Sequence, residues 1–388
     1  MTKRSCIWVL FALAGCASVP EPEEPPTPEP ADAVEAVAAP EPAEAPPVAE
    51  PLPETRRISV AAVGDMMLGT DYPENILPDD DGVGFLADVT PILASVDIAM
   101  GNLEGVLLDG GEPGKKCSNP NACYLFRSPS RYVEHYRNAG FDVMSLANNH
   151  ARDFGEEGRL ASMNSLAAAG IRHSGLRDDF ASLEVDGLRV AVMAYAVTRN
   201  SNLLLDYVLA RATVAGFAGT HDIVIVSFHG GAEGNDVSNL PFAEEVYYGE
   251  PRGDVVRFAR MMVDAGADLV FGHGPHVVRA MENYKDRLIA YSLGNFATYY
   301  GISVKGIRGI APILEVTLDS EGVFVEGRIH STRQVRPAGP SIDPDQAAFR
   351  MMRDLSIEDF GNPGILFRDD GTMQPAPREA ARPLNDTF

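Results

Sequence analysis

The chain has 388 residues, 45% of them hydrophobic and 22% charged, with four cysteines and a formal net charge of -23. It is long enough to bury one large core or two modest ones. The acidic balance excludes a nucleic-acid binder, which needs surplus Lys and Arg to neutralise phosphates, but it attracts divalent cations.

Lys3 and Arg4 precede an apolar run at 6–13 that is too short to span a bilayer, the layout of a secretory signal. Leu13-Ala14-Gly15-Cys16 follows and resembles a bacterial lipobox, which implies a lipoprotein signal peptide at 1–15 and a lipid on the Cys16 sulfur. The alternative is an ordinary signal peptide cut near Ala17. Because Ala17 rather than Asp follows the cysteine, the expected location is a lipid anchor in the outer membrane, facing the periplasm or the cell surface. Residues 20–54 are almost wholly Pro, Glu, Ala and Val and hold about ten acidic side chains, so 16–56 reads as a lipidated cysteine with a disordered, extended stalk. Cys117 and Cys123 remain as a pair bracketing the turn-rich SNPNA, where a disulfide is expected; a zinc pair would lack further cysteines.

From residue 57 strand-like and helix-like segments alternate, which predicts a layered α/β domain over 57–335. Strands are expected at 58–63, 98–101, 143–147, 190–196, 223–228, 269–271 and 288–292, and helices at 129–138, 156–169 and 253–265. Each helix closes on a glycine, Gly140, Gly170 or Gly266. A hairpin over 314–329, turning at 319–322, is expected to end the sheet. Residues 336–388 read as a C-terminal helix, capped at Asp343-Pro344 and running to about Leu355, and a loosely ordered tail from Gly371.

The polar residues that follow these strands carry the chemistry. The strand ends lead into Gly64-Asp65, into Asn102 and Glu104, into Asn148-Asn149-His150, into His229 with Glu233, and into His273 with His276. Four of the eight histidines fall there, beside glycines that let backbone approach a ligand. One such end is ordinary capping or a satisfied core histidine; five in register point to a metal site. Imidazole, carboxylate and amide donors without thiolate suit Mn, Fe, Zn or Co, one or two ions, and such sites serve hydrolysis or phosphoryl transfer. In the stretch 142–155, Asp153 stands three residues beyond His150 and could orient it, or could cap the helix that follows.

GDMML at 64–68, GNLEG at 101–105, FRSP at 126–129, SLANNHARDFGEEG at 145–158, SFHGGAE at 227–233, AGADLVFGHGPHVVRAMENY at 265–284 and YSLGNF at 291–296 together resemble the CapA-type poly-γ-glutamate capsule-synthesis family. The resemblance implies the calcineurin-like metallophosphoesterase fold, a four-layer α/β/β/α sandwich, and a surface role in exopolymer assembly. An exopolymer or phosphoester substrate and other capsule-synthesis proteins would be the partners. Residue by residue it implies Asp65, Glu104, Asn149, His229, His273 and His276 as metal ligands and His150, oriented by Asp153, as the proton donor. Arg127, Glu233 and Asn295 would face substrate, with a solvated arginine and ligand-orienting hydrogen bonds as the alternatives. Three positions depart from the phosphoesterase pattern: Met67 replaces the histidine of Asp-x-His, Asn102 replaces the bridging aspartate unless Glu104 serves, and His273 and His276 are one residue further apart than His-x-His. Two readings follow, a surface-anchored metal-dependent hydrolase or transferase and a non-catalytic assembly or export factor.

Overall fold

The computed structural model describes residues 56–115 and 124–377. The expectations for the signal segment, Cys16, the stalk, Cys117 and Cys123 lie outside those residues. Among the described residues no helix is long and apolar enough to cross a membrane.

Two sheets carry the domain. In chain order their strands are β1 Arg57–Met67, β2 Ile98–Leu103, β3 Val143–Ser145, β4 Arg172–Ser174, β5 Ala181–Val185, β6 Leu188–Ala196, β7 Ile223–His229, β8 Leu269–His273, β9 Met281–Tyr284, β10 Arg287–Ala290, β11 Asn295–Thr298, β12 Ile310–Asp319, β13 Phe324–Gln334, β14 Pro340–Ile342, β15 Ile365–Phe367 and β16 Thr372–Pro375. The first sheet runs β15-β16-β13-β12-β1-β2-β3-β4, with β11 pairing β1 and β14 pairing β13; the second runs β9-β10-β8-β7-β6-β5.

The period-two alternation of buried side chains builds the layers. Ile58, Val60 and Ala62 of β1 point between the sheets, where they join Val190, Val192, Ile225, Leu269 and Phe271 of the second sheet. Ala61 and Val63 point the other way, onto Leu93, Val133, Tyr136 and Leu166. Those four belong to helices α1 Thr90–Leu93, α2 Val133–Asn138 and α3 Gly155–Ala168. On the far face of the second sheet, Ala191, Met193, Val224 and Val226 meet Ala210, Val214, Phe258 and Met262, from α4 Tyr207–Ala218 and α5 Val255–Asp264. The result is the expected four-layer α/β/β/α sandwich.

Local chemistry sets the helix ends. Gly140, Gly170 and Gly266 follow α2, α3 and α5 at φ of 93°, 81° and 107°, a region open to glycine, and terminate each helix as expected. Asp206 and Asp254 start α4 and α5 by accepting the Leu209 and Arg257 amides.

Two expectations for the C-terminal part are corrected. The β12–β13 hairpin does not end the sheet: β13 offers its other edge to β14 and β16, so the hairpin lies inside it. The segment after Gly371 is not a loose tail up to Ala376, since β16 pairs both β13 and β15. Asp343 does cap the last helix, accepting the Ala347 amide at 3.0 Å, and α6 Ala347–Phe360 continues past Leu355. It places Phe349 and Met352 in the core between the sheets.

Leu314 lies in that core at 0% exposure. Leu314→Ala should lower unfolding stability by about 3 kcal/mol, read from the denaturant midpoint. The same truncation at Leu366, 44% exposed on the edge strand, should cost less than about 1 kcal/mol.

Candidate metal centre

The carboxyl ends of parallel strands from both sheets supply the polar groups, as open α/β sheets commonly do. Asp65 on β1 stands in register with Asn102 on β2, and His229 on β7 with His273 on β8. A third element brings β11 against β1. There the Asp65 amide donates to the Gly294 carbonyl at 2.9 Å, and a Cβ on Gly64 would stand 2.0 Å from that oxygen, so residue 64 must be glycine.

Asp65 and Glu104 are fully buried. The Asn102 side-chain amide lies between them, donating to Asp65 Oδ1 at 2.9 Å and to Glu104 Oε2 at 2.5 Å. Its own oxygen accepts from Asn148 Nδ2 at 2.9 Å, and Asn148 Oδ1 in turn accepts the His150 amide at 2.9 Å. Asn102 and Asn148 therefore tie three strand ends together. Sequence reasoning gave neither of them a place among the ligands or substrate contacts; the only signal for Asn148 was its position directly past an apolar strand.

Ligand atoms of Asp65, Glu104 and His229 all lie within 4.8 Å of one another. Around them, Glu104 Oε1, Asn149 Oδ1 and both ring nitrogens of His229 and of His273 are buried without a hydrogen bond. His229 Nε2 stands 3.4 Å from Glu104 Oε1, and His273 Nδ1 3.4 Å from Asp65 Oδ1. Each orphaned buried polar atom costs roughly 1–3 kcal/mol, so the five on Glu104, His229 and His273 make a poor core and a good first coordination sphere. The donor set of oxygen and imidazole nitrogen without sulfur fits a divalent ion of the Mn, Fe or Zn kind.

His276 enters differently. At φ 60° its backbone turns back on the cluster, and Nδ1 lies 2.8 Å from Asp65 Oδ2 and 3.0 Å from Asn295 Oδ1. Both neighbours are acceptors, so Nδ1 carries the proton and Nε2 remains as the donor to a metal. Nε2 lies 3.8 Å from Glu233 Oε2, and Glu233 also pairs with the buried Arg252 at 3.1 Å. Asn295 takes the orienting hydrogen-bond role that was the alternative for it, and holds this turn. Its Nδ2 donates to the carbonyls of His276, Ser303 and Arg308 at 3.3, 3.1 and 3.3 Å. Arg127 is held by the fold rather than free in a loop. It pairs with Asp71 at 2.6 Å, donates to the Gly110 carbonyl at 2.7 Å, and lies over the Tyr72 and Phe154 rings.

Burial and neighbouring charge shift the protonation of the cluster. For Asp65, burial pushes upward, but His273 and His276 overcome it and hold the carboxyl well below its usual range. Glu104 is pushed up to about 7 by burial and by the Asp65 charge. His229 is pushed down to about 3 by burial and by Arg252, which keeps it neutral and free to ligate. Burial works to lower His276, yet the hydrogen bond and charge of Asp65 raise it to about 9.

Beside the cluster, His150 Nδ1 lies 2.7 Å from Asp153 Oδ2. Asp153 is fully buried and also accepts the Phe126 amide at 2.8 Å, with Lys115 Nζ 3.1 Å away. The Phe126 ring lies over the imidazole, with centroids 4.4 Å apart. The capping alternative fails here, since α3 starts at Phe154 with no side-chain cap. Asp153 is turned toward His150 instead.

The family model described as "Bacterial capsule synthesis protein PGA_cap" matches residues 59–300. The chain belongs to this family. It is 28% identical over 266 residues to the capsule biosynthesis protein CapA of Bacillus anthracis, covering 63% of this chain and 60% of that protein. It is 27% identical over 256 residues to the PGA biosynthesis protein CapA of Bacillus subtilis, covering 62% and 63%. The chain thus spans less than two thirds of either relative. Among solved structures, a yellow lupin purple acid phosphatase superposes with a TM-score of 0.35 at 12% identity, covering 76% of this chain and 55% of that one. That likeness is too partial to bear on chemistry.

Metal uptake by this PGA_cap family member should be proton-coupled. Glu104 must be a carboxylate to ligate and His276 repels a cation while protonated, so an ion displaces protons that are held below about 7 and about 9. Affinity is expected to rise with pH, falling roughly tenfold per unit from about pH 8 to about pH 7 and more steeply, toward a hundredfold per unit, below that. Calorimetry in buffers of different ionisation enthalpy reads the released protons; an affinity flat across that range would contradict the assignment.

Proposed function

We propose that the protein is a metal-dependent hydrolase or transferase of capsule-type polymer assembly, acting on a phosphoester or on an amide-linked polymer. The His150–Asp153 pair, 2.7 Å apart beside the orphaned donors, carries this reading, because a centre that only binds metal needs no oriented proton donor. Asp65, Glu104, Asn149, His229 and His273 would hold the metal, with His276 Nε2 available as a further donor. When bound, the metal supplies Lewis acidity toward a substrate oxygen and lowers the pKa of a water.

The chain's own groups do the remainder. Asp153 holds the Nδ1 proton, which fixes the imidazole so that Nε2 can deliver a proton to the leaving group. Lys115 Nζ, 3.1 Å from Asp153 Oδ1, and the Phe126 amide, which donates to Oδ2, hold the Asp153 side chain in place beside His150. The Phe126 ring shields one face of the imidazole from water. With Asn102 in place of an aspartate, the charges of Asp65 and Glu104 would balance one divalent ion, and a second would have to draw on charge from the substrate. The printed names of the relatives supply the polymer context; poly-γ-glutamate or a related exopolymer is the proposed substrate class, and other capsule-synthesis proteins are the proposed partners. The lipobox supports a lipid anchor on Cys16 at the outer membrane, and Cys117 with Cys123 is proposed as a disulfide of that oxidising compartment.

A second reading, a non-catalytic assembly or export factor, is favoured by Met67, which is 1% exposed and offers no donor where phosphoesterases have a ligand. Metal analysis and turnover on the purified protein separate the two. Stoichiometric Mn, Fe or Zn with hydrolysis of an activated phosphoester or polyglutamate is expected. His150→Ala should lower turnover by about a hundredfold or more while metal stays bound. Full occupancy without turnover on either substrate would leave the assembly factor standing.

A further inference from the structure

Two features at the rim of the centre have no place in the chemistry above. The first is a hairpin, Glu245–Tyr247 with Glu250–Gly253. Its base is locked: the buried Arg279 and Glu245 pair at 2.9 and 2.7 Å, and Glu245 Oε2 accepts the Ala232 amide, next to Glu233, at 2.9 Å. Its tip is Tyr248-Gly249, with φ of 46° and 79°. Two positive values make the turn type I′, which favours Asn-Gly; a tyrosine there is strained. The Tyr248 ring is 89% exposed, with its centroid 4.4 Å from that of Tyr247. A large apolar ring held in a costly conformation and left in water on a rigid base serves the side chain rather than the fold.

The second feature repeats the pattern next to Phe126. Tyr300-Gly301 has φ of 39° and 87°, and Tyr300 is 40% exposed with the Arg336 guanidinium 4.9 Å from its ring centroid. Gly301 packs so tightly on the ring stacked against His150 that a Cβ would stand 2.7 Å from Phe126 Cε1. One tyrosine-glycine turn thus borders the Glu233 and His276 side, and the other borders the His150 side.

The third group is Arg308. Its carbonyl accepts from Asn295, whose oxygen contacts His276, so its backbone is one side chain away from the cluster. Its guanidinium makes no hydrogen bond or ion pair among the described residues, and Nε is buried without a partner. An arginine without an anion beside a metal centre is a recognition group in waiting.

We infer that Arg308, with the exposed Tyr248 and Tyr300 rings of the two tyrosine-glycine turns near the metal cluster, forms a lip that selects an extended oxyanion-bearing chain over a small monomeric substrate. The inference rests on the reading that this cluster handles substrate. Arg308 takes a carboxylate or phosphate of the unit next to the reacting one, and each ring covers the chain on its own side. None of the three is a catalytic residue, and Tyr248 and Tyr300 are exposed enough for truncation to leave folding intact.

Metal-loaded protein, with metal content checked for each variant, is titrated by calorimetry with glutamate, a γ-linked glutamate decamer and a polyphosphate of matched length. Wild type is expected to bind one oligomer at least about tenfold tighter than glutamate; which oligomer binds tells carboxylate from phosphate. Arg308→Gln should weaken that oligomer about tenfold, with partial recovery in Arg308→Lys. Tyr248→Ala and Tyr300→Ala should each weaken the oligomer by about threefold or more and leave glutamate unchanged. Equal affinity for monomer and oligomers, no oligomer binding, or an unaltered Arg308→Gln would overturn the lip. Oligomer binding that follows these substitutions without any turnover would instead overturn the hydrolase reading and leave the lip intact.

Discussion

Two carboxylates buried side by side constrain everything else in this molecule. Removing Asp65 and Glu104 from water costs several kcal/mol each, and their mutual repulsion adds to it. The fold meets that cost with the Asn102 amide, which donates to both at 2.9 and 2.5 Å, and with imidazoles delivered by the second sheet. This is why both sheets are required: the paired carboxylates and the imidazoles that face them come from different ones. Asp65 and Asn102 come from the first, while His229 and His273 come from the second. The apolar contact between the sheets then fixes the distance between anion and imidazole to the tolerance of a packed core.

Much of this was legible in the residues. Alternating apolar runs gave the central strands, glycines gave the helix ends, and polar clusters directly after apolar runs gave Asp65, Glu104, His150 and the other histidines. Four strands that lead into the centre run further than the apolar pattern marks. β1 runs to Met67, β2 to Leu103, β7 to His229 and β8 to His273, because a ladder needs only backbone hydrogen bonds and continues where the side chains turn polar to face the centre. The apolar pattern reports the buried part of a strand, and the functional part lies where that pattern stops.

What escaped has other causes. β15 and β16 are short, and β16 carries a proline, so neither makes a pattern of its own; they exist because β13 offers an open edge. Arg127 and Asn295 occupy motif positions, and motif position alone cannot distinguish a side chain that touches substrate from one that holds a loop. Asn102 reads as a lost aspartate when compared with phosphoesterases. In place it is the group that allows two remaining carboxylates to share one volume, a role with no signature except spacing to partners from another strand.

The three departures from the phosphoesterase pattern make sense as a set. An aspartate at 102 would put a third negative charge against Asp65 and Glu104, and a histidine at 67 would be the natural ligand of the extra cation that such a charge demands. With an amide at 102 that demand is gone, and Met67 can be core, at 1% exposure. The wider spacing of His273 and His276 fits the same economy. One more residue, with φ of 60° at His276, turns the second imidazole back so that its Nδ1 reaches Asp65 at 2.8 Å instead of projecting in parallel with His273. The second histidine thereby stabilises the buried aspartate as well as offering a donor. A cluster built this way needs less positive charge from metal than a site with three carboxylates, and it leaves more of the anion recognition to the protein's own arginine.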